Sequence, residues 1–187
     1  MPAWNGWYHI VGSTYGSWLP GDPRGWRSRH HREHVEGDYK NPPPPGKDHR
    51  RHVRSKSLMK REPVVLTFHQ RELVCRTMIE ALRFHHVEVK ELSVSATHFH
   101  VLAGFTSVGH TAQIKHISDP PRHYVGIARS RSSRALSDVG LVQRGGLWAK
   151  RTKIVPISDP SHFHSVVEYV RRHADEGAIV WSLPREA

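Results

Sequence analysis

The stretch VEVKELSVSATHFHVLAGF, residues 87–105, contains two runs in which apolar and polar side chains alternate. Alternation with a period of two is typical of a β-strand with one buried face. The first run covers 87–95, with a slip in the alternation near Lys90-Glu91, and the second covers 98–105. Only the short turn Ala96-Thr97 separates them, so the stretch predicts two antiparallel strands joined as a hairpin.

Two further elements are predicted on the amino-terminal side of this hairpin. Residues 7–15 (WYHIVGSTY) are rich in aromatic and β-branched types, which favour a strand. Apolar residues at helical spacing predict a helix over about 68–85. Thr67-Phe-His-Gln70 has the pattern of a capping box, in which the threonine hydroxyl and the glutamine side chain each bond a backbone N–H.

The tetrapeptide Ile-Ser-Asp-Pro occurs twice after the hairpin, at 117–120 and 157–160. Aspartate as an N-cap, followed by proline at the first helical position, favours the start of a helix. We therefore predict one helix from 120 to about 137 and another from 160 to about 176.

Residues 147–157 (LWAKRTKIVPI) predict a fourth strand between those two helices. The order of the elements is then β-α-β-β-α-β-α. This order predicts an α+β fold, in which helices cover one face of an antiparallel sheet.

The charge of the chain indicates a polyanionic partner. The 187 residues are enough for one domain with a sizeable core. Lys and Arg number 28 against 17 acidic residues, which gives a formal net charge of +11. A fold does not require such an excess, and nucleic acid is the usual partner of a strongly basic protein.

Other features of the composition exclude several classes of protein. Cys75 is the only cysteine, which excludes an internal disulfide and a cysteine zinc cluster and favours a reducing compartment. No apolar run approaches the ~18 residues that indicate a membrane span. We therefore expect a cytoplasmic protein without a membrane partner, in which Cys75 is a buried core residue and not a nucleophile.

A basic, Pro/His-rich segment at about 17–62 is predicted to be an insertion into this single domain. Residues 21–60 hold 11 Lys and Arg against 5 acids, five histidines and the run Pro42-Pro43-Pro44-Pro45, with few large aliphatic side chains. Such a segment cannot build a core, so we expect a partly polyproline-like loop. Two interpretations remain open: a solvated loop without a partner, or an insertion that contacts a phosphate backbone.

The histidines of the hairpin are candidate metal ligands. Successive side chains of a strand alternate between faces, so His98 and His100 project from one face about 7 Å apart, while Phe99 points the other way. Two imidazoles held by a sheet can bind one divalent cation. The chain has 17 histidines, so a chance His-x-His is the alternative. His162 and His164 lie on a predicted helix, where this spacing does not let them chelate together.

Tyr169 and His173 form a second candidate pair on the last predicted helix. Residues four apart lie on the same side of a helix, and these two flank an apolar face that includes Phe163, Val166 and Val170. They can thus present a phenol and an imidazole to a cleft beside the sheet. A surface pair on an amphipathic helix is the alternative.

These residues resemble the single-tyrosine HUH transposases, the insertion-sequence-200-like family that includes the REP-associated tyrosine transposases. His98-Phe99-His100 matches the two histidines around a bulky apolar residue, and Tyr169 and His173 match the nucleophile and the polar residue four positions later. The resemblance covers about 7–16 and 63–182. It implies a ferredoxin-like fold over 1–187, with a C-terminal helix that carries the tyrosine.

The chain departs from the family's pattern at two positions. The residue before the first histidine is Thr97, where the family often has Asn or Asp. The residue four after the tyrosine is His173, where Asn or Gln is common. Imidazole favours Mn, Co, Ni or Zn more than an amide oxygen does, so a strict preference for Mg²⁺ is not expected.

The resemblance also implies a function. A divalent metal, Mg²⁺ or Mn²⁺, would be held by His98, His100 and His173, and Tyr169 would cleave and rejoin single-stranded, hairpin-bearing DNA through a 5′-phosphotyrosine bond. A homodimer and association with the nucleoid are further expectations. Trp26 and Trp148 are candidate stacking platforms for bases. The candidate phosphate contacts are Arg122, Arg129, Arg131, Arg134, Lys150, Arg151 and Lys153.

Two other functions are compatible with the sequence. One is a domesticated, non-catalytic DNA-binding protein on the same scaffold, for which binding is indifferent to metal and to Tyr169. The other is an unrelated histidine-rich zinc hydrolase or metal-binding module, in which activity does not depend on that tyrosine.

Overall fold

A computed structural model describes the chain in two compact units, Met1–Thr14 with Val65–Ala187, and Tyr15–Val64. The residues that it describes are 3–24, 26, 46–106, 117–142 and 146–184. Among the helices of these residues, none is both long and apolar enough to cross a membrane.

The first unit is built on a five-stranded sheet in which all neighbouring strands are antiparallel. Its strands are β1 (Trp7–Thr14), β2 (Glu88–Val94), β3 (His98–Gly104), β4 (Trp148–Pro156) and β5 (Ile179–Ser182). They lie in the order β4-β1-β3-β2-β5. The central strand β3 thus lies between β1 and β2, which confirms the α+β, ferredoxin-like fold.

Among the described residues, four α-helices accompany the strands, and the three that belong to the first unit begin where the sequence predicts. The helices are α1 (Lys47–Ser57), α2 (Phe68–Phe84), α3 (Pro120–Asp138) and α4 (Pro160–Arg172). Both bonds of the Thr67–Gln70 capping box form at the start of α2. The side chains of Asp119 and Asp159 accept backbone N–H groups at the starts of α3 and α4, and proline follows each aspartate.

The hairpin pairs Val94 with Phe99 and Ser93 with His100. Its register shifts between Val89 and Glu91, where the alternation predicts a slip. Gly12 of β1 lies opposite Phe99, and any side chain at this position would collide with the phenyl ring. The glycine therefore leaves room for the ring beside β1, on the face opposite to His98 and His100.

The two faces of the sheet carry different helices. On the face of Phe99, the ring packs edge-on against Trp148, whose indole N–H donates to the backbone oxygen of Arg129 on α3. The helices α2 and α3 pack along each other on this side. On the opposite face, Leu102 and Ile157 form an apolar cluster with three valines of α4: Val166, Val167 and Val170. The predicted arrangement of helices on one face holds for α2 and α3, and the helix that carries Tyr169 covers the other face.

Strand β5 was not predicted. It is only four residues long and pairs with the sheet edge formed by β2, for example Trp181 with Leu92. The helix before it ends earlier than predicted, because α4 passes into a 3-10 turn over His173–Glu176. Gly177 then takes a positive φ of 77°, which favours glycine, and the chain turns into β5.

The second unit contains α1, a helix in the segment that was predicted to be a loop. The guanidinium of Arg24 pairs with the Asp22 carboxylate, and Ser55 of α1 donates to the backbone oxygen of Pro20. The guanidinium of Arg51 lies 5.1 Å from the ring centre of Trp26, the first candidate stacking platform. Pro42–Pro45 lie outside the described residues, and the role of 17–62 as an insertion stays a prediction.

Candidate active site

Three histidines from two elements converge on the α4 side of the sheet. His98 and His100 project from β3, and His173 comes from the 3-10 turn that follows α4. Each offers one nitrogen, and these three nitrogens all lie within 4.8 Å of one another. His100 is 5% exposed and His173 is 6% exposed, so two of the imidazoles are buried. Such a set can hold a metal ion.

The packing of α4 places His173 beside the strand. Val166, Val167 and Val170 anchor the helix on Leu102, which shares its sheet face with both histidines of β3. The ring centres of His100 and His173 are consequently 4.5 Å apart, and those of His98 and His173 are 5.5 Å apart. His100 and His173 are about 70 residues apart in the sequence. Apolar contacts between α4 and the sheet, and not contacts between the histidines themselves, bring them together.

The Nδ1 atom of each imidazole already faces a neighbour. His173 Nδ1 lies 2.9 Å from the backbone oxygen of Tyr169, and His98 Nδ1 lies 3.3 Å from the Thr97 hydroxyl. His100 Nδ1 lies 3.0 Å from Nε2 of His9. A carbonyl oxygen can only accept, so Nδ1 of His173 carries the hydrogen and its Nε2 keeps the lone pair in the neutral ring. This chemistry suits metal binding through Nε2.

The site favours neutral imidazoles. Burial lowers the pKa of His98, and the neighbouring His173 lowers it further. Burial also lowers the pKa of His100 far below its usual value, with added effects of His98 and His9. Because only a neutral imidazole can donate a lone pair, these two ligands are ready for a cation at neutral pH.

Tyr169 of α4 lies over this cluster. Its ring centre is 4.8 Å from that of His173 and 5.2 Å from that of His100, and both contacts are edge-on. The residue is 42% exposed. The phenol thus borders the three imidazoles while part of it remains open to solvent.

Lys153 adds a positive charge to the same face of the sheet. It pairs with Val11 of β1, and Val11 pairs with His100 on its other side. The Lys153 side chain is exposed, yet its charge contributes to the lowered pKa of both His9 and His100. Of the predicted phosphate contacts, Lys153 is therefore the one whose charge acts on the histidine cluster. Lys150 and Arg151 are also exposed on β4.

A buried ion pair fixes the end of α4. Glu91 of β2 is fully buried, and its Oε1 accepts from Nε and Nη2 of Arg171 at 3.0 and 2.6 Å. Its other oxygen accepts from the hydroxyl of Ser182 in β5. Arg171 lies between Tyr169 and His173 in the sequence, so this carboxylate joins the helix that carries the site to two strands.

The predicted arginines of α3 lie on the opposite face of the sheet. Arg131 and Arg134 are exposed and line a groove of about 550 Å³ together with Trp148, Ser130 and Ser133. The Ser133 hydroxyl is buried and has no hydrogen-bond partner among the described residues. This groove is separate from the histidine cluster.

Two other α3 arginines have partners within the protein. The Arg129 guanidinium donates to the backbone oxygen of Ala149 and to the Thr152 hydroxyl, so it joins α3 to β4. Arg122 is exposed and pairs with Asp119 at 2.9 Å. Trp148, the second candidate stacking platform, packs on Phe99 and uses its indole N–H within the protein.

The second His-x-His does not join the site. Nδ1 of His162 accepts from the backbone N–H of Ser158 at the start of α4, and His164 is exposed. Within the described parts of the chain, His98, His100 and His173 form the group found suitable for a metal.

His9 is the neighbour of the site that sequence reasoning did not single out. It belongs to the predicted first strand, but its proximity to His100 depends on the register between β1 and β3. Alternation alone places His9 on one face of its strand and does not show which residue of another strand it meets.

Comparisons with known proteins give several similar solved structures, and two of them follow. No protein-family model matches the chain, and no curated protein sequence matches it. The first structure is a REP-associated tyrosine transposase bound to a REP hairpin, with a TM-score of 0.49, 9% identity, and coverage of 92% of this chain and 68% of that one. The second, from Deinococcus radiodurans R1, is provisionally described as a transposase, with a TM-score of 0.45, 13% identity, and coverage of 89% and 88%.

Proposed function

We propose that the protein is a transposase-type endonuclease that cleaves and rejoins single-stranded DNA through Tyr169. The observation that carries this proposal is the contact of the Tyr169 ring with His100 and His173, two of the three imidazoles that can hold a metal ion. The net charge of +11 supports a nucleic acid as the substrate. The family resemblance supports DNA that bears a hairpin.

In this proposal, His98, His100 and His173 hold Mg²⁺ or Mn²⁺ through their Nε2 atoms. Such a cation, when bound, neutralises charge on the scissile phosphate and makes phosphorus more electrophilic. The protein supplies three imidazoles in a fixed arrangement, because each Nδ1 has its own partner. The departure from an amide at position 173 makes Mn²⁺ the better candidate.

Tyr169 is the proposed nucleophile. Its phenol oxygen forms a bond to phosphorus while the bond from phosphorus to the 3′ oxygen breaks. The phenol gives up its proton, and the departing 3′ oxygen takes one to become a hydroxyl. The bond energy is retained in the 5′-phosphotyrosine, so a second 3′-hydroxyl can displace Tyr169 and complete strand transfer.

The basic residues divide into two proposed DNA contacts. Lys153 and Arg151 of β4 would contact the strand near the scissile phosphate. Arg131 and Arg134 on the far face would contact flanking DNA through phosphates. Arg129 is left out of this surface because its guanidinium already bonds Ala149 and Thr152. Dimer formation stays a prediction.

The test is a denaturing gel of protein incubated with hairpin-bearing single-stranded DNA and Mn²⁺ or Mg²⁺. A covalent protein–DNA adduct that requires the metal and disappears in Tyr169→Phe supports the proposal. The matched control is Tyr8→Phe, which changes a tyrosine of the same unit that lies on β1.

Each alternative predicts its own result in the same assay. A domesticated binding protein binds the hairpin DNA without forming a covalent adduct, and its affinity is the same with and without metal. A histidine-based hydrolase cleaves DNA with metal and is unaffected by Tyr169→Phe.

A further inference from the structure

We infer that His9 is a positioning residue that holds the ligand His100 in the tautomer required for metal binding. This inference deepens the proposed function, because it rests on the proposed metal site of His98, His100 and His173. His9 itself is not proposed as a ligand.

The strand register brings the two rings together. His9 pairs with Leu102 and Val11 pairs with His100, so His9 is the diagonal neighbour of His100 on the same face of the sheet. The ring centres are 5.2 Å apart, and the ring planes are within 24° of parallel. Nε2 of His9 lies 3.0 Å from Nδ1 of His100, which is a hydrogen-bonding distance.

The proton between these nitrogens has two possible positions. If Nδ1 of His100 carries it, His9 accepts and Nε2 of His100 keeps a free lone pair. If Nε2 of His9 carries it, the neutral His100 has its hydrogen on its own Nε2, which then cannot bind a metal. Only the first arrangement makes His100 a ligand through Nε2, and it requires His9 to carry its hydrogen on Nδ1.

The arrangement of the other buried ligand favours His9 as an acceptor. His173 donates its Nδ1 hydrogen to the backbone oxygen of Tyr169, which leaves the lone pair of the neutral ring on Nε2. His9 therefore accepts the Nδ1 hydrogen of His100, as a backbone carbonyl accepts the Nδ1 hydrogen of His173.

The geometry argues against His9 as a fourth ligand. The group whose nitrogens lie within 4.8 Å of one another consists of His98, His100 and His173. Nε2 of His9 faces the Nδ1 of His100, on the side of that ring away from its own Nε2.

The first experiment reads the tautomer directly in metal-free protein. Long-range ¹H–¹⁵N spectra of ¹⁵N-histidine-labelled protein distinguish the two neutral forms of His100. We expect the hydrogen on Nδ1 in the wild type and a mixture of tautomers in His9→Ala. A wild-type His100 with its hydrogen on Nε2 would overturn the inference.

The second experiment measures Mn²⁺ affinity by titration calorimetry. Loss of an outer partner of a ligand typically weakens metal binding about 10- to 100-fold, so His9→Ala should fall in this range. In His9→Gln the side-chain oxygen can take the place of Nε2 as acceptor, and affinity should return to within a few-fold of wild type. His164→Ala, an exposed histidine outside the site, should bind like the wild type.

The outcomes separate the inference from the proposed function. Equal Mn²⁺ affinity of His9→Ala and wild type refutes the role of His9 and leaves the metal site intact. Binding by His9→Gln that is as weak as that of His9→Ala also refutes it. If the wild type binds no divalent cation, the proposed metal site fails and so does the metal-related role of His9. The tautomer of His100 in metal-free protein then shows only whether His9 orients that ring.

Discussion

Nδ1 of His173 lies 2.9 Å from the backbone carbonyl oxygen of Tyr169, one helical turn earlier. The bond connects the candidate nucleophile's own peptide group to a candidate metal ligand. With the hydrogen on Nδ1, the lone pair of the neutral His173 ring is on Nε2. The relation between the phenol and the imidazole is therefore set within one short segment, whereas their relation to the sheet depends on the packing of α4.

The first prediction concerns the choice of metal. His173→Asn replaces an imidazole nitrogen by an amide oxygen, which is a harder donor. We expect Mn²⁺ affinity to fall about tenfold or more and the preference for Mn²⁺ over Mg²⁺ to shrink. Calorimetric titrations of the wild type and of His173→Asn, each with Mn²⁺ and with Mg²⁺, measure the affinities. An unchanged ratio of the two affinities would show that His173 does not coordinate.

The second prediction concerns the buried ion pair. Arg171→Ala leaves the fully buried Glu91 carboxylate with Ser182 but without its cation. Removing one partner of a buried pair costs about 3–5 kcal/mol of unfolding free energy, and since the Arg171 side chain is 39% exposed we expect the lower end. Urea unfolding followed by circular dichroism measures the change. The control Arg122→Ala breaks an exposed pair with Asp119 and should cost less than about 1 kcal/mol of unfolding free energy. An equal loss of unfolding free energy in the two variants would contradict the account.

The third prediction concerns Cys75, the single thiol of the chain. Burial raises its pKa to about 12 from the usual 9.0. At pH 8 the thiolate fraction is then about a thousandfold lower than in an unfolded chain, since each pKa unit changes it tenfold. Alkylation by iodoacetamide should be correspondingly slow in the native protein and fast in urea. Rapid labelling of the native protein would mean that Cys75 is not a core residue.

The fourth prediction concerns the groove on α3. If Arg131 and Arg134 each contact a DNA phosphate, replacing both with alanine should reduce the slope of log K against log salt. The reduction should be about 1.4 for phosphates of a single strand and about 1.8 for phosphates of a hairpin stem. Anisotropy of a labelled hairpin oligonucleotide at several salt concentrations measures the slope. Arg76→Ala, an exposed arginine on α2 outside the groove, is the matched control. A double variant with the wild-type slope would remove the groove from the DNA surface.

The elements that the sequence predicted well are those with local causes. The hairpin follows from alternation, its slip at Lys90-Glu91 was visible as a break in that alternation, and two Asp-Pro pairs mark helix starts. The convergence of His98, His100 and His173 required only that α4 pack on the sheet face of β3. The site roles given to these residues and to Tyr169 stay predictions until they are measured.

The features that were missed depend on long-range pairing. The contact of His9 with His100 needs the register of β1 on β3, and β5 is a four-residue strand that exists because β2 offers an edge. Arginine is usually a surface residue, but β4 provides the Arg129 guanidinium with hydrogen-bond acceptors inside the protein. None of these contacts can be recognised from residues that are close together in the sequence.

The most direct test of the central claim is to identify the amino acid that becomes linked to DNA. The covalent adduct formed with hairpin DNA and Mn²⁺ is digested with nuclease and protease, and tandem mass spectrometry locates the nucleotide. The account predicts a phosphodiester on Tyr169 that is lost in His100→Ala. Linkage to another of the five tyrosines, or cleavage without any linked peptide, would contradict it.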